Sequence, residues 1–263
     1  MEDILRLLDT SMTKPELYGW FHIVSLVLTA AAAFLLCFFS KKLQPRKVVL
    51  VTAVIVCVLE VYKQINYSFS YTDGIQFDYQ WYAFPFQFCS TPMYIGLLAG
   101  LTKRGKLHGA ANAYLATYAV FAGVCVMFYP STVFISTIGI NIQTMVCHGS
   151  MIVIGIYLMY SGYVKLEHKT ILKAVPVFAV CVSIAVIMNE IAYRTGLLET
   201  ETFDMFFISP YGTPSLPVYS LVQGVVPFPW CLVIYIAAFS LAAYIMLLMG
   251  MGIKKLTMKK VTA

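Results

Sequence analysis

Charged residues are scarce in this chain, and their scarcity excludes a typical soluble protein. Only 11% of the 263 residues are charged and 60% are hydrophobic, whereas about a quarter of the residues in a soluble domain are charged. The mean hydropathy is +0.80. A surface with so few polar groups suits lipid rather than water. The composition therefore predicts an integral membrane protein.

Motifs for metal binding, redox chemistry, phosphate binding and secretion are also missing. No two of the seven cysteines have C-x-x-C spacing, which zinc and redox sites commonly show. There is no phosphate loop, and a single deep histidine cannot form a metal site. The segment Met1–Leu8 is charged and amphipathic, unlike a cleavable signal peptide. We therefore expect no metal and no cofactor, and no nucleic-acid partner, because the net charge of +6 lies in short clusters between apolar runs.

Long apolar runs are what the sequence does contain. A helix needs about 20 predominantly apolar residues to cross a bilayer, and seven such runs occur, at 20–39, 48–66, 84–102, 109–128, 140–162, 172–193 and 228–250. They predict an all-α polytopic membrane bundle of seven transmembrane helices. We expect one transmembrane domain over 20–253, an extracytoplasmic amphipathic segment at 1–19 and a basic cytoplasmic tail at 254–263.

The connections between the runs alternate in charge, which predicts their orientation. Lysine and arginine concentrate in the first, third and fifth connections and in the tail: Lys41, Lys42, Arg46, Lys47, Lys103, Arg104, Lys106, Lys165, Lys169, Lys173, Lys254, Lys255, Lys259 and Lys260. The other connections carry mainly Asp73, Asp78, Glu199, Glu201 and Asp204. Because basic loops stay in the cytoplasm, the N-terminus is expected outside and the C-terminus inside, in a multi-pass plasma-membrane protein.

Two outer connections are long, and both are rich in apolar residues. They cover residues 67–83 and 194–227. Loops of this length are often lids or re-entrant segments when they are functional. A segment that simply lies on the bilayer surface explains them equally well, so both interpretations stay open.

Polar side chains inside the predicted spans fall at one depth, in the half that faces the exterior. Ionisable groups in a bilayer are costly, so they need a partner or a function. Glu60 and Lys63 can neutralise each other at i, i+3 spacing. The set as a whole predicts either a hydrogen-bonded plug or a water-accessible cavity, and its members are Glu60, Lys63, Gln87, Cys89, Ser90, Gln143, His148, Asn189 and Glu190.

Cys89 and His148 are the two members whose chemistry suggests catalysis. A histidine can lower a thiol pKa, and the thiolate can then attack a carbonyl carbon. Each residue alone also has a structural explanation, as a hydrogen-bonded buried histidine and a small apolar filler. Cys147 is a rival nucleophile, but side chains at i and i+1 on a helix do not face each other.

Four short motifs carry a family resemblance that extends over nearly the whole chain in span order. They are F-P-F-Q-F-C at 84–89, His148-Gly149, Asn189 and P-F-P-W at 227–230. In these the chain resembles the YwaF-like bacterial integral membrane family, which is similar to a eukaryotic TMEM family of cysteine-dependent phospholipid acyltransferases. The resemblance implies a bacterial cytoplasmic membrane, a nucleophilic Cys89 and a basic His148. Gln87 departs from the bacterial pattern, in which a histidine is common, and glutamine cannot act as a base.

These observations predict an outer-leaflet acyltransferase or lipid hydrolase that acts on membrane phospholipids or lysolipids. Hydrogen bonds to the oxyanion would come from Gln87, Ser90 or Asn189. The outer polar cavity would be formed by Glu60, Lys63, Gln143 and Glu190. Two alternatives stay open: a transporter or small-molecule binding protein without covalent chemistry, and a structural membrane protein whose polar groups serve helix packing.

Overall fold

A computed structural model of the protein describes residues 2–70, 74–196, 198, 202–213 and 216–261. Asp73, Glu199 and Glu201, which the orientation argument uses, lie outside the described residues. The elements in chain order are α1 (Glu2–Leu8), α2 (Trp20–Phe38), α3 (Pro45–Asn66), β1 (Phe69–Ser70), β2 (Gln76–Phe77), α4 (Thr91–Leu101), α5 (Lys106–Ala116), α6 (Tyr118–Phe128), α7 (Ile138–Tyr160), α8 (Lys169–Thr195), α9 (Pro217–Ser220) and α10 (Phe228–Val261). The two strands form one antiparallel pair.

Six of the predicted spans are confirmed as helices that are long and apolar enough to cross a membrane, among the residues that the structure describes. They are α2, α3, the α5–α6 pair, α7, α8 and α10. The α5–α6 pair breaks at Thr117, whose backbone leaves the helical region (φ −129°, ψ −76°). The fold is therefore mostly helical, as the sequence predicts.

The predicted span at 84–102 differs, because it is helical only over α4. Phe84 is extended (φ −49°, ψ 135°), since the ring of Pro85 disfavours a helical conformation for the residue before it. Pro92 lies in the first turn of α4, where its missing N–H costs no hydrogen bond. The eleven residues of α4 extend about 16 Å, which is roughly half the hydrocarbon core.

Together with the segment that precedes it, α4 packs along most of the length of α3. Gln64 Nε2 donates a hydrogen bond to the Ala83 carbonyl, at 2.9 Å, near the end of α3. Arg46 Nη1 donates to the Gly100 carbonyl, at 3.2 Å, near the start of α3. Residues 83–101 therefore run antiparallel to α3 over about 27 Å of helix length.

The α5–α6 pair and α7 form the centre of the bundle. In their most apolar stretches, 72% and 67% of the residues are buried in the protein, against 6% for α2. Close approach of α7 to α5–α6 depends on Gly155, where an added methyl group would lie 3.0 Å from the Leu115 carbonyl oxygen and 2.0 Å from a Val120 methyl. The central helices thus pack too closely for a larger side chain at this position.

The N-terminal segment and the C-terminal part of α10 lie at opposite ends of the bundle, since a methyl group at Gly250 of α10 would lie 3.0 Å from Met159 Sδ, near the end of α7. At one end, Tyr62 Oη donates to the Leu8 carbonyl, at 2.7 Å, so that the N-terminal segment rests on the end of α3. At the other end, His108 and Tyr163 join the third and fifth connections through an Nε2–Oη distance of 2.9 Å. We call this the basic end, because Lys103, Arg104 and Lys165 lie there.

Candidate functional site

Cys89 lies in the turn that leads into α4. Its side chain is partly buried, and the turn is closed by hydrogen bonds from the Ser90 and Thr91 amides to the Gln87 carbonyl, at 2.8 Å and 3.2 Å. Among the described residues, no carbonyl accepts a hydrogen bond from the Cys89 amide N–H. The thiol therefore lies beside its own backbone N–H and the N-terminus of a helix, both of which interact favourably with negative charge.

His148 is buried in the middle of α7 and has one nitrogen without a partner. Its Nδ1 lies 2.7 Å from the Thr144 carbonyl oxygen. A carbonyl only accepts, so Nδ1 carries the proton and Nε2 carries the lone pair. Nε2 has no hydrogen-bond partner among the described residues. The ring is thus held by one nitrogen and offers a free proton acceptor at the other, as a general base requires.

His22 shows what a fully bonded histidine in this bundle looks like. Its Nδ1 accepts a hydrogen bond from the Tyr18 amide, at 2.9 Å, and its Nε2 donates to the Met127 carbonyl, at 2.7 Å. Both nitrogens are used for structure. The free Nε2 of His148 is therefore not a general feature of buried histidines in this protein.

Cys147 brings α7 to the turn that contains Cys89. Its thiol donates to the Cys89 carbonyl, with a sulfur–oxygen distance of 4.0 Å. Cys147 also borders a small apolar cavity of about 30 Å³ with Met93 and Ser150, large enough for about one water molecule. In the part of the chain that the structure describes, no hydrogen bond joins the Cys89 thiol to His148. The two residues lie on contacting elements without forming a bonded pair.

Glu60, Lys63 and Gln143 do come together, as the sequence predicts. Lys63 Nζ lies 2.8 Å from Glu60 Oε1, and Gln143 Nε2 donates to Glu60 Oε2 at 3.2 Å. Gln64 Nε2 donates to Glu60 Oε1 at 2.8 Å. The Glu60 carboxylate therefore accepts hydrogen bonds from both α3 and α7, and the ammonium of Lys63 balances its charge.

An open cleft of about 480 Å³ lies beside this network. Its walls include Glu60, Gln64, Met93 and Tyr94, together with Phe77 of the strand pair. Apolar walls with one carboxylate network at the side are typical of a binding cleft for an amphipathic molecule. The cleft lies between α3, α4 and the outer connection.

Gln87 and Asn189 both hold a buried loop, residues 203–209. Gln87 Nε2 donates to the Asp204 carbonyl and Gln87 Oε1 accepts from the Phe206 amide, each at 2.9 Å. Asn189 exchanges two hydrogen bonds with the backbone of Met205, at 2.8 Å and 3.1 Å. The oxygen and one N–H of each amide are therefore bonded to the loop, which fixes the orientation of both side chains.

The buried loop is a part of the bundle rather than a surface segment. Phe203, Met205, Phe206 and Ile208 are all buried, and Phe206 has a left-handed backbone (φ 62°) that costs energy for a bulky residue. The described part of the connection at 194–227 therefore packs against the helices of the bundle. The left-handed backbone of Phe206 and the hydrogen bond from its amide to Gln87 depend on residues far apart in the sequence, so no local sequence pattern indicates them.

Ser90 and Glu190 are placed differently from each other. Ser90 is buried beside Cys89, where the sequence predicts it. Glu190 lies near the surface, paired with Arg194 and accepting a hydrogen bond from Tyr211 Oη at 2.6 Å. It does not join the Glu60 network. The direction of its side chain depends on the packing of α8, which the sequence does not reveal.

Tyr79 also belongs to the Glu60 network, and its role there was not predicted from the sequence. Its hydroxyl donates to Gln64 Oε1 at 2.6 Å. Burial, reinforced by the negative charge of Glu60, raises the pKa of Tyr79 to about 12, so it stays a neutral donor. The only sequence signal was its place in an aromatic outer connection, which fits an interfacial aromatic belt equally well.

Comparison with known proteins places the chain in one family. The model of the TMEM164 family matches residues 17–249, which include α2 to α9, the first part of α10 and the site residues described above. No curated protein and no solved structure matches the chain. With its apolar helices, the protein is an integral membrane protein, and it belongs to the TMEM164 family.

Proposed function

We propose that the protein is a lipid acyltransferase or hydrolase in which Cys89 is the nucleophile and His148 the base. The observation that carries the proposal is the unpartnered Nε2 of buried His148, whose other nitrogen is fixed by the Thr144 carbonyl. A buried polar atom without a partner costs about 1–3 kcal/mol. A function that needs the lone pair of Nε2 explains why the protein keeps a group that lowers its stability. The resemblance to cysteine-dependent phospholipid acyltransferases supports the same pair.

The reaction would proceed in two steps. His148 Nε2 takes the thiol proton of Cys89, and the thiolate attacks the carbonyl carbon of a phospholipid ester. The ester C–O bond breaks, the lysolipid oxygen leaves with the proton from the imidazolium, and an acyl thioester remains on Cys89. A lysolipid hydroxyl or water, deprotonated by His148, then attacks the thioester and releases the thiolate, which regains its proton.

We assign the oxyanion of both steps to the amide N–H of Cys89. It has no carbonyl acceptor among the described residues, whereas the Gln87 and Asn189 amides are occupied by the buried loop. Backbone donors aimed at a developing oxyanion are a major source of catalysis in acyl transfer.

Substrate binding would have to bring the thiol and the imidazole together. Cys147, which precedes His148 in α7, contacts the Cys89 carbonyl, so this part of α7 packs against the turn that carries Cys89. Catalytic contacts are often loose before substrate binds. The cleft beside Glu60 would admit the lipid laterally, because its walls are mostly apolar and it lies along α3 and α4.

We further propose that residues 83–101 complete a seventh membrane crossing. This segment runs along α3 from Gln64 to Arg46, although only its second half is helical. Non-helical backbone is tolerated in a bilayer where protein covers it. Seven crossings place the N-terminus outside and the C-terminus in the cytoplasm, which fits the described chain ends at opposite ends of the bundle. In this topology the protein is a multi-pass protein of a bacterial cytoplasmic membrane.

The proposed activity is tested by acyl transfer in nanodiscs. Purified protein is given phosphatidylcholine with a labelled acyl chain and an unlabelled lysolipid, and transfer and release of the label are measured. Cys89→Ala and His148→Ala should each lower the rate by roughly a hundredfold or more, as expected when a nucleophile or base is lost. Cys147→Ala is the matched control and should keep a rate close to that of wild type. Equal turnover by Cys89→Ala and wild type would refute the proposal.

A second candidate function is binding or transport of an amphipathic molecule without covalent chemistry. The specific observation in its favour is the cleft beside the Glu60 network. It predicts that Cys89→Ser keeps ligand binding or uptake, while Glu60→Gln abolishes it. The acyl-transfer proposal predicts instead that Cys89→Ser lowers activity more than Glu60→Gln does. Comparison of the two variants in one assay therefore separates the functions.

A further inference from the structure

A cleft at the basic end lies away from Cys89 and His148. It has a volume of about 490 Å³ and is bordered by the loop before α5, the connection after α7 and the first turns of α8. Its volume is in the range of small-molecule sites. The lining contains no residue of the Glu60 network or of the turn around Cys89, so the proposed chemistry does not account for this cleft.

Positive charge dominates the lining. Lys103, Arg104, Lys165 and Lys173 border the cleft, and no carboxylate does so among the described residues. Lys173 lies 3.6 Å from Glu167, so part of its charge is balanced. No acidic partner is found for the other three cations in the described chain. The cleft therefore attracts an anion.

The N-terminus of α5 adds to this potential. Gly105, which borders the cleft, precedes α5 with a left-handed backbone (φ 111°), and no side chain caps the helix. The first amide groups of a helix carry partial positive charge and bind phosphate readily. The eleven-residue helix thus presents backbone donors next to the lysine and arginine side chains.

Asn112 supplies an independent sign of a ligand. Its Nδ2 donates to the His108 carbonyl at 2.8 Å, which fixes the orientation of the amide because a carbonyl only accepts. Its Oδ1 is buried and has no hydrogen-bond partner among the described residues. Asn112 borders the cleft and is only 3% exposed. This oxygen needs a donor, which a bare anion does not provide.

His108 does not provide that donor and is already fully bonded. Thr102 Oγ1 donates to the Leu98 carbonyl, at 2.6 Å, so it accepts from His108 Nδ1, at 3.2 Å. His108 Nε2 lies 2.9 Å from Tyr163 Oη. Both ring nitrogens are therefore engaged by neighbouring side chains.

We propose that this cleft binds a phosphate ester that also carries a hydroxyl or amine hydrogen-bond donor. The phosphate binds the Lys103 and Arg104 side chains and the first amides of α5, and the donor group satisfies Asn112 Oδ1. This chemistry is shared by a phospholipid headgroup and by a soluble phosphorylated alcohol. Clefts of basic residues between membrane helices are suited to both.

The test uses the full-length protein and two probes. In the first arm, sn-glycerol 3-phosphate and methyl phosphate are titrated by calorimetry into delipidated protein in detergent. In the second, native mass spectrometry measures phosphatidylglycerol retained after exchange from a mixture with phosphatidylcholine. Binding in the first arm identifies a soluble ester as sufficient, and retention in the second alone identifies a lipid headgroup. Either result supports the proposal.

The variants separate a built site from general charge attraction. Lys103→Gln with Arg104→Gln should weaken binding by about tenfold or more, the effect of losing charged hydrogen bonds. Lys41→Gln with Lys42→Gln removes the same charge outside the cleft and should leave binding unchanged. Binding in neither arm, or equal weakening by both double variants, would overturn the proposal. Equal affinity of wild type for glycerol phosphate and methyl phosphate would overturn the role of Asn112. None of these results depends on acyl transfer by Cys89.

Discussion

His22 and His148 are both buried on membrane-length helices, yet they use their nitrogens differently. His22 bonds the Tyr18 amide and the Met127 carbonyl, two groups that have no other partner among the described residues. His148 bonds the carbonyl of Thr144 on its own helix, which the helix already satisfies. The first histidine therefore stabilises the bundle, and the second is held in place without contributing much to it.

The two histidines should differ in stability when each is replaced. His22→Leu leaves two buried backbone groups without partners and should cost about 2–4 kcal/mol in unfolding free energy. His148→Leu removes an unsatisfied buried atom and should change stability by less than about 1 kcal/mol, while abolishing acyl transfer. Thermal unfolding of both variants in detergent measures the contrast. A loss for His148→Leu as large as that for His22→Leu would assign His148 a purely structural role.

Asp204 makes the buried loop sensitive to pH. Burial raises the pKa of Asp204 above its ordinary value, partly offset by hydrogen bonds from the Ser209 and Ile208 amides. The loop in place therefore binds the proton more tightly than the released loop. Its stability is highest below the ordinary aspartate pKa and falls as pH rises through the raised value, and then levels off.

This dependence predicts more opening of residues 203–209 as pH increases through the mildly acidic range. Hydrogen exchange of the loop amides, corrected for the intrinsic pH dependence of exchange, measures it. Asp204→Asn keeps an acceptor for Ser209 and should remove the pH dependence. A slope that persists in Asp204→Asn would mean that another group titrates.

At the scale of elements, glycine decides how closely the central helices approach. A methyl group at position 123 would lie 2.6 Å from the His148 carbonyl oxygen, a backbone atom that cannot move aside without shifting α7. In α10, a methyl group at Gly252 would meet no atom within 4 Å. Membrane helices pack through small residues in this way, because lipid supplies no hydrophobic force to hold them together.

Gly123→Ala should therefore destabilise the bundle by about 1–3 kcal/mol, the usual cost of overpacking. Gly252→Ala is the control and should stabilise its helix by about 0.5–1 kcal/mol. Detergent unfolding curves compare the two. Because Gly123 contacts the backbone of His148, the first variant should also lower acyl transfer. Equal stabilities for the two variants would contradict the packing of α6 against α7.

At the scale of the whole molecule, the number of crossings depends on one segment. Residues 83–101 follow α3 over its length, but only α4 within them is helical. Asp78 and Lys103 flank this passage and are both exposed. If the passage crosses the membrane, the two residues lie on opposite sides, and seven crossings follow.

Single cysteines at these two positions test the crossing. In a background without native cysteines, an impermeant thiol reagent added to intact cells should label the Asp78→Cys variant. The Lys103→Cys variant should be labelled only after permeabilisation. Labelling of both from the same side would leave six crossings and would place the two chain termini on one side.

The sequence by itself predicted the membrane class and the six membrane-length helices that the described residues contain, together with a seventh span that is helical only over α4. These are local properties, because the length of an apolar run and its flanking charges decide whether a helix can lie in lipid. The run at 84–102 shows that composition alone does not decide where a helix forms. It is apolar throughout, but Pro85 disfavours a helical backbone at Phe84, which is extended. The pairing of Glu60 with Lys63 was also predictable, as neighbours on one helix face.

Only the tertiary structure decided what the polar side chains contact. Gln87 and Asn189 were predicted to face a shared polar site, but their amides bond a loop that lies 117 residues beyond Gln87 and 16 beyond Asn189 in the chain. Glu190 is turned away to Arg194 and Tyr211, and Cys147 rather than His148 contacts the turn of Cys89. Depth follows from position along a helix, whereas direction follows from how helices rotate and pack against one another, which no local pattern encodes.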